Sequence, residues 1–140
     1  MEQINFFAIF GAAVVSMVVG FAWYSKTFFG KPWMAAMHLS ESDLMRMKNE
    51  KEKMSVTYGM SFLSAIVTAF VMTKLFYMLG VTSIGGALEL VLWFWLGFVA
   101  TTQFTAHLFD HKSNTQIFII NTFHQLASLA AMATALIYWL

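Results

Sequence analysis

The sequence predicts an all-α membrane protein: a bundle of four transmembrane helices, with an amphipathic, interfacial helical segment between the first and the second. Three observations predict it. The composition is 59% hydrophobic and only 11% charged, with a mean hydropathy of +0.68, whereas a soluble domain carries roughly 25% charged residues. The charges fall at uneven intervals, with none between Glu2 and Lys26, Lys53 and Lys74, Glu89 and Asp110, or Lys112 and the last residue. Each of these gaps reaches the roughly 20 apolar residues that a helix needs to cross a bilayer. Helices buried in a soluble core would instead show polar outer faces.

The 140 residues are read as a single integral membrane domain. Helices are predicted over 4–24, 55–79, 87–109 and 115–139, with a loop over 25–54. The start Met1-Glu2-Gln3 has no basic n-region, so helix one is expected to be retained rather than cleaved. Helices two and three are joined by Leu79-Gly80-Val81-Thr82-Ser83-Ile84-Gly85-Gly86, where glycines permit a tight turn. Helices three and four are joined by Asp110-His111-Lys112-Ser113-Asn114. Connections this short predict antiparallel neighbours.

The loop after helix one begins FAWYSKTFFGKPWM. Trp23, Tyr24 and Trp33 are aromatic residues of the kind that settle at headgroup depth. Lys26 and Lys31 can snorkel toward phosphates, Phe28 and Phe29 can dip into the acyl layer, and Pro32 prevents a straight helix. The block therefore reads as an interfacial anchor. Further on, Ser40-Glu41-Ser42-Asp43 has capping-box form. It opens a charge-mixed helix that is expected to run straight into helix two.

Orientation follows from the basic residues. Lys26, Lys31, Arg46, Lys48, Lys51 and Lys53 lie between helices one and two, and Lys112 lies between three and four, leaving Lys74 on the other side. The positive-inside rule places these loops in the cytoplasm and both termini outside. The expected location is the cytoplasmic membrane of a bacterium. A net charge of +1 offers no field for nucleic acid, and the absence of cysteine excludes disulfides and thiolate chemistry.

The blocks WYS-x-x-FFGKPWM, HLSESDL, GVTSIGG, WFWLGFVATT and LFDHKSNTQIFIINTFHQLASL resemble an uncharacterised bacterial membrane family, "domain of unknown function 1761". The similarity covers essentially the whole chain. It implies a four-helix membrane protein and supplies no activity, substrate or catalytic residue. It marks Trp23, Tyr24, Gly30, Lys31, Trp33, Asn121 and His124 as typical family residues, within a motif that also holds Phe29 and Pro32. After helix three, where the family often has an acidic-Gly-Arg turn, this chain has Asp110-His111-Lys112.

Polar residues at membrane depth mark the candidate site, because burying them is costly unless they find partners. At 100° per residue, Glu89, Gln103, His107, Asp110 and His111 share an arc of about 100° on helix three, and Asn121, His124, Gln125 and Ser128 share another on helix four. These stripes are expected to face each other, with His124 neutral and hydrogen-bonded near Gln103. Lys74 and Glu89 form a candidate intramembrane ion pair. Small residues recur at Thr57, Ser61, Ser64 and Thr68, at Ala127, Ala131 and Ala135, and at Ala12, Ser16 and Gly20, as close helix packing in lipid requires.

The function this predicts is that of a transporter- or channel-like protein. It would act as a homo-oligomer in the lipid bilayer on a small solute or ion, through a polar path between helices three and four. The alternative is a non-catalytic scaffold or partner-binding protein, and the third reading is an intramembrane enzyme or a haem- or metal-binding protein. His107 and His111 are spaced i, i+4 with Asp110 between them, but no HExxH-type pattern accompanies them, so neither a metal site nor a cofactor is predicted. No nucleotide loop or nucleophile elbow occurs, and no catalytic residue is assigned.

Overall fold

The computed structural model describes residues 3–140, without the side chains of Lys48, Lys51 and Glu52. The expectations for Met1, Glu2 and those three side chains lie outside the described residues. The described chain is all-α, and four helical stretches are long and apolar enough to cross a membrane: Phe6–Trp23, Lys53–Leu79, Ile84–Phe109 and Thr115–Trp139. The first is α1 (Phe6–Trp23), capped by the Asn5 side chain, which accepts from the N–H groups of Phe7 and Ala8. Two short helices follow, α2 (Gly30–Ala36) and α3 (Glu41–Asn49). Next come α4 (Lys51–Leu79), α5 (Ile84–Phe94), a wide π-helical turn over Trp95–Ala100, α6 (Thr101–Phe109) and α7 (Thr115–Trp139).

The capping box forms: Asp43 N–H donates to Ser40 Oγ at 3.2 Å, and Ser40 N–H donates to the Asp43 carboxylate at 3.0 Å. These bonds from Ser40, the backbone one first, hold the Asp43 carboxyl below its ordinary value. Two expectations for the loop are corrected. Pro32 does not stop a helix but sits in the first turn of α2, where its missing N–H has no intrahelical partner to lose. α3 does not run straight into α4, because Glu50, at φ −83° and ψ 61°, breaks the ladder between them.

Two helix ends use the left-handed backbone region. Gly80 (φ 66°) closes α4, with Val81 N–H donating back to Phe76 O at 2.8 Å. His38 (φ 54°) plays the same part after α2, with Leu39 N–H on Met34 O at 3.0 Å.

Small residues decide the packing. Ala8, Ile9, Ala12 and Ala13 of α1 are buried, as are Ala65, Ala69 and Thr73 of α4 and Met132, Ala133 and Leu136 of α7. Without a hydrophobic force between helices in lipid, close backbone approach at such residues selects the partners. α1 accordingly packs on both α7 and α4, and α5 packs on α7. Helices two and three face each other across a cleft, but the closely packed pairs include α4 with α1, not α4 with α5 or α6. Their facing surfaces carry Met72, Leu75, Phe94 and Phe98, too bulky for close approach, and a cleft of about 190 Å³ remains between them.

The Thr57–Thr68 stripe of α4 does not serve as a packing seam. Thr57, Ser61 and Ser64 are exposed, and the hydroxyls of Thr57, Ser61 and Thr68 donate to carbonyls of their own helix four residues back.

Candidate functional site

The end of the bundle that carries α2, α3 and the Asp110 loop is the basic end, and there the aromatic block turns inward rather than toward lipid. After α1, Phe29 N–H donates to Trp23 O at 3.0 Å and Gly30 N–H to Ser25 O at 2.8 Å, folding the chain back on itself. Gly30 is buried in this turn, and a Cβ there would lie 2.5 Å from Tyr24 O and 2.6 Å from Ser25 O. Only glycine fits. α2 is thereby delivered against α7.

Around this turn the rings interlock. Trp23 packs on Phe29 with centroids 4.4 Å apart, Tyr24 on Trp33 at 5.7 Å, and His124 on Tyr24 at 5.0 Å and on Trp23 at 6.1 Å. Tyr24 Oη donates to Asn121 Oδ1 at 2.6 Å, and Trp23 Nε1 donates to Ile120 O at 3.1 Å. Burial pushes the Tyr24 phenol above its ordinary value. The chemistry here is neutral hydrogen bonding between half-buried groups. Phe28 and Lys31, by contrast, are exposed, and Lys26 lies 3.9 Å from Glu41 at the surface.

His124 does not face Gln103. Its Nε2 lies against α1, 3.5 Å from where a Gly20 Cβ would be, buried and without a hydrogen-bond partner among the described residues. Rings such as those of Trp23 and Tyr24 suit a lipid interface as well as a protein contact, so residue type alone does not point them to His124. One signal was available: Gly20, Trp23 and Tyr24 share a helix face at i, i+3, i+4.

The other predicted residues separate. On helix three, the π-helical turn at Trp95–Ala100 has i→i+5 bonds, so the 100° count does not carry across it. Glu89 lies before that turn and Gln103 and His107 after it, and they do not form one stripe. Glu89 and Gln103 are exposed, as are Asp110, His111 and Gln125. His107 is tied to its own loop: Nδ1 is 2.7 Å from Ser113 Oγ, Nε2 is 3.5 Å from Thr115 Oγ1, and the ring stacks on Phe118 at 5.0 Å. Asp110 Oδ1 accepts from Lys112 N–H at 3.0 Å. Among the described residues, no three His, Asp or Glu side chains converge as metal ligands.

The candidate pair Lys74 and Glu89 flanks the turn between α4 and α5. The ion pairs among the described residues are Lys26–Glu41, Arg46–Asp43 and Lys53–Glu50. Lys74 takes part in another interaction.

Sequence reasoning missed Trp95. It is buried, and its Nε1 donates to Thr122 O at 2.9 Å. With Trp23 on Ile120 O, two indoles clasp α7 at carbonyls two residues apart.

The cleft is the remaining feature. Met72, Leu75 and Phe76 of α4 form one wall, Leu90, Phe94, Phe98 and Val99 the other, and Leu129 of α7 the floor. Along the sequence toward the basic end, the helices that line the cleft carry Thr68 on α4, Gln103 on α6 and Gln125 on α7. The cleft lining itself is apolar throughout.

The model of one family, described as "Protein of unknown function (DUF1761)", matches residues 7–137. The chain belongs to this family. The match takes in the aromatic block, the cleft walls and the whole of α6, so the features above all lie inside the family's domain. No curated protein and no solved structure matches the chain.

Proposed function

We propose that this membrane protein is a carrier that takes its solute sideways from the bilayer, through the crevice between α4 on one side and α5, the π-helical turn and α6 on the other. One observation carries the reading: an apolar cleft of about 190 Å³ lies between α4 and the α5 side, and no closely packed helix pair spans its two walls. In this reading the solute passes from the cleft toward the exposed amides of Gln103 and Gln125, in place of the path expected between helices three and four. In the cytoplasmic membrane of a bacterium, with the basic end inside, the cleft opens toward the cytoplasm on the side of Gln103 and Gln125. Homo-oligomerisation fits Glu89, which is exposed within the α5 span and turned away from the crevice, since an acidic group at bilayer depth needs a partner.

The test is transfer of a fluorescent monoacylglycerol between leaflets of proteoliposomes, read by dithionite quenching. Transfer is expected to be faster than in protein-free vesicles and to slow in Leu90→Trp, which fills the cleft. Equal rates in all three would sink the carrier. The scaffold reading rests on a different observation, the closed interior around Met132 and Leu136, which offers no path through the bundle itself.

A further inference from the structure

We infer that two copies of this chain pair in the membrane through the outward face of α5, the Trp93 indole of each donating to the Glu89 carboxyl of the other. This rests on the homo-oligomer in the reading above and gives it an interface. From Ile84 to Phe94 the helix is regular, so its faces can be counted. One face holds the buried Ala87 and Val91 together with Leu90 and Phe94 of the cleft wall. The opposite face, an arc of about 140°, holds Gly85, Leu88, Glu89, Leu92 and Trp93, every one of them exposed.

Two groups on this face need a polar partner. Counted along the helix axis from Ile84, Glu89 lies about 8 Å and Trp93 about 14 Å into the span. A tryptophan of the interfacial belt sits at headgroup depth; Trp93 lies deeper. Trp23 and Trp95 donate to carbonyls of α7, whereas Trp93 is 63% exposed and its N–H has no acceptor among the described residues. Hydrocarbon hydrates neither group, so both are costly until a partner supplies the bond. A lipid tail has no such group, and a second copy has both. A donor and an acceptor one turn apart on one face are self-complementary about a two-fold axis, where residue i meets j and j meets i. The offset of about 6 Å between the two turns is within the joint reach of these side chains. Gly85 has nothing within 4 Å of where its Cβ would lie, which leaves room for a second backbone. Leu90 and Phe94 lie on the other side of the helix, so pairing leaves that wall of the cleft uncovered.

The chain has no cysteine, so single introduced cysteines report contacts directly. The full chain is reconstituted in phosphatidylcholine vesicles over a range of protein-to-lipid ratios and oxidised with copper phenanthroline. Leu92→Cys, on the seam, is expected to cross-link into dimers, and Val67→Cys, exposed on α4, is not. In the Leu92→Cys background, Trp93→Phe and Glu89→Leu each remove both symmetry-related bonds. Each is expected to raise the ratio at half-dimerisation about ten- to hundredfold, while Glu89→Gln, which keeps an acceptor, stays within about threefold. Elution profile and unfolding midpoint serve as folding controls, and photobleaching steps of copies labelled at Ser42→Cys count the subunits independently. Equal cross-linking at Leu92→Cys and Val67→Cys means random collision in lipid and overturns the interface. Dimers counted by photobleaching that do not cross-link at Leu92→Cys, or that Trp93→Phe and Glu89→Leu leave unchanged, overturn this interface and leave the homo-oligomer standing. Single steps at every ratio overturn both, and the carrier reading stands or falls separately on its transfer assay.

Discussion

Tyr24 at the end of α1 and Asn121 in α7 are joined by a 2.6 Å hydrogen bond from phenol to amide oxygen, across 97 residues of sequence. With the Trp23 indole on Ile120 O, this bond fastens the first transmembrane helix to the last at the basic end. Ser16 and Ser128, with Oγ atoms 2.8 Å apart, fasten the same pair of helices further in.

Tyr24→Phe removes the donor and leaves Asn121 Oδ1 without it. The expected loss is about 1–2 kcal/mol, read by denaturant unfolding in detergent. A double-mutant cycle with Asn121→Leu should return a coupling of about 1 kcal/mol. A coupling near zero would show that the bond is not formed in the membrane protein.

Gly30→Ala places a methyl group on the carbonyls of Tyr24 and Ser25, which are backbone atoms and cannot swing aside. The expected cost is about 1–3 kcal/mol, with α2 displaced from α7. Gly11→Ala is the informative control: its Cβ would meet the Trp139 ring, a side chain near the chain end that can move. Equal thermal shifts in the two variants would contradict the argument.

His124 carries an enclosed, unpartnered Nε2 among Trp23, Tyr24 and Gly20. Replacing an unsatisfied buried polar atom with an apolar ring of similar shape is neutral or stabilising. His124→Phe is therefore expected to keep or raise the unfolding midpoint. A loss of more than about 2 kcal/mol would mean that the imidazole has a partner in the membrane.

The α3 cap depends on pH through Asp43. Its carboxyl is held below the ordinary value of 3.8, so its contribution is present above that value and is lost as pH falls through the lower folded-state pKa. Amide protection factors at 41–49, corrected for the intrinsic pH dependence of exchange, should fall in that acid window and hold steady from pH 5 to 8. Asp43→Asn should flatten the acid limb.

Orientation is tested with cysteines placed at Ser42, in α3, and at Ser83, the cap of α5. A membrane-impermeant maleimide should label them from opposite sides, Ser83→Cys from outside. Labelling from the same side would overturn the topology and, with it, the cytoplasmic opening of the crevice.

The sequence by itself determined what depends on composition and near neighbours. The four spans follow from gaps between charges that are as long as a bilayer is thick. The Ser40–Asp43 box and the Gly80 turn are satisfied within a few residues, so local order sufficed for these. The tertiary structure alone decided which faces meet. In lipid a transmembrane helix can be apolar all round, so hydrophobic periodicity, which orients helices in water, does not say what each side touches. Hence Trp23 and Tyr24, whose rings suit a lipid interface, instead close on His124 and Asn121. The wide turn at Trp95 shifted the phase of helix three without a sequence mark. Bulky Met72, Leu75, Phe94 and Phe98 kept α4 from α5 despite the short turn between them, because side-chain volume across the gap, and not the length of the connection, sets how closely two helices approach.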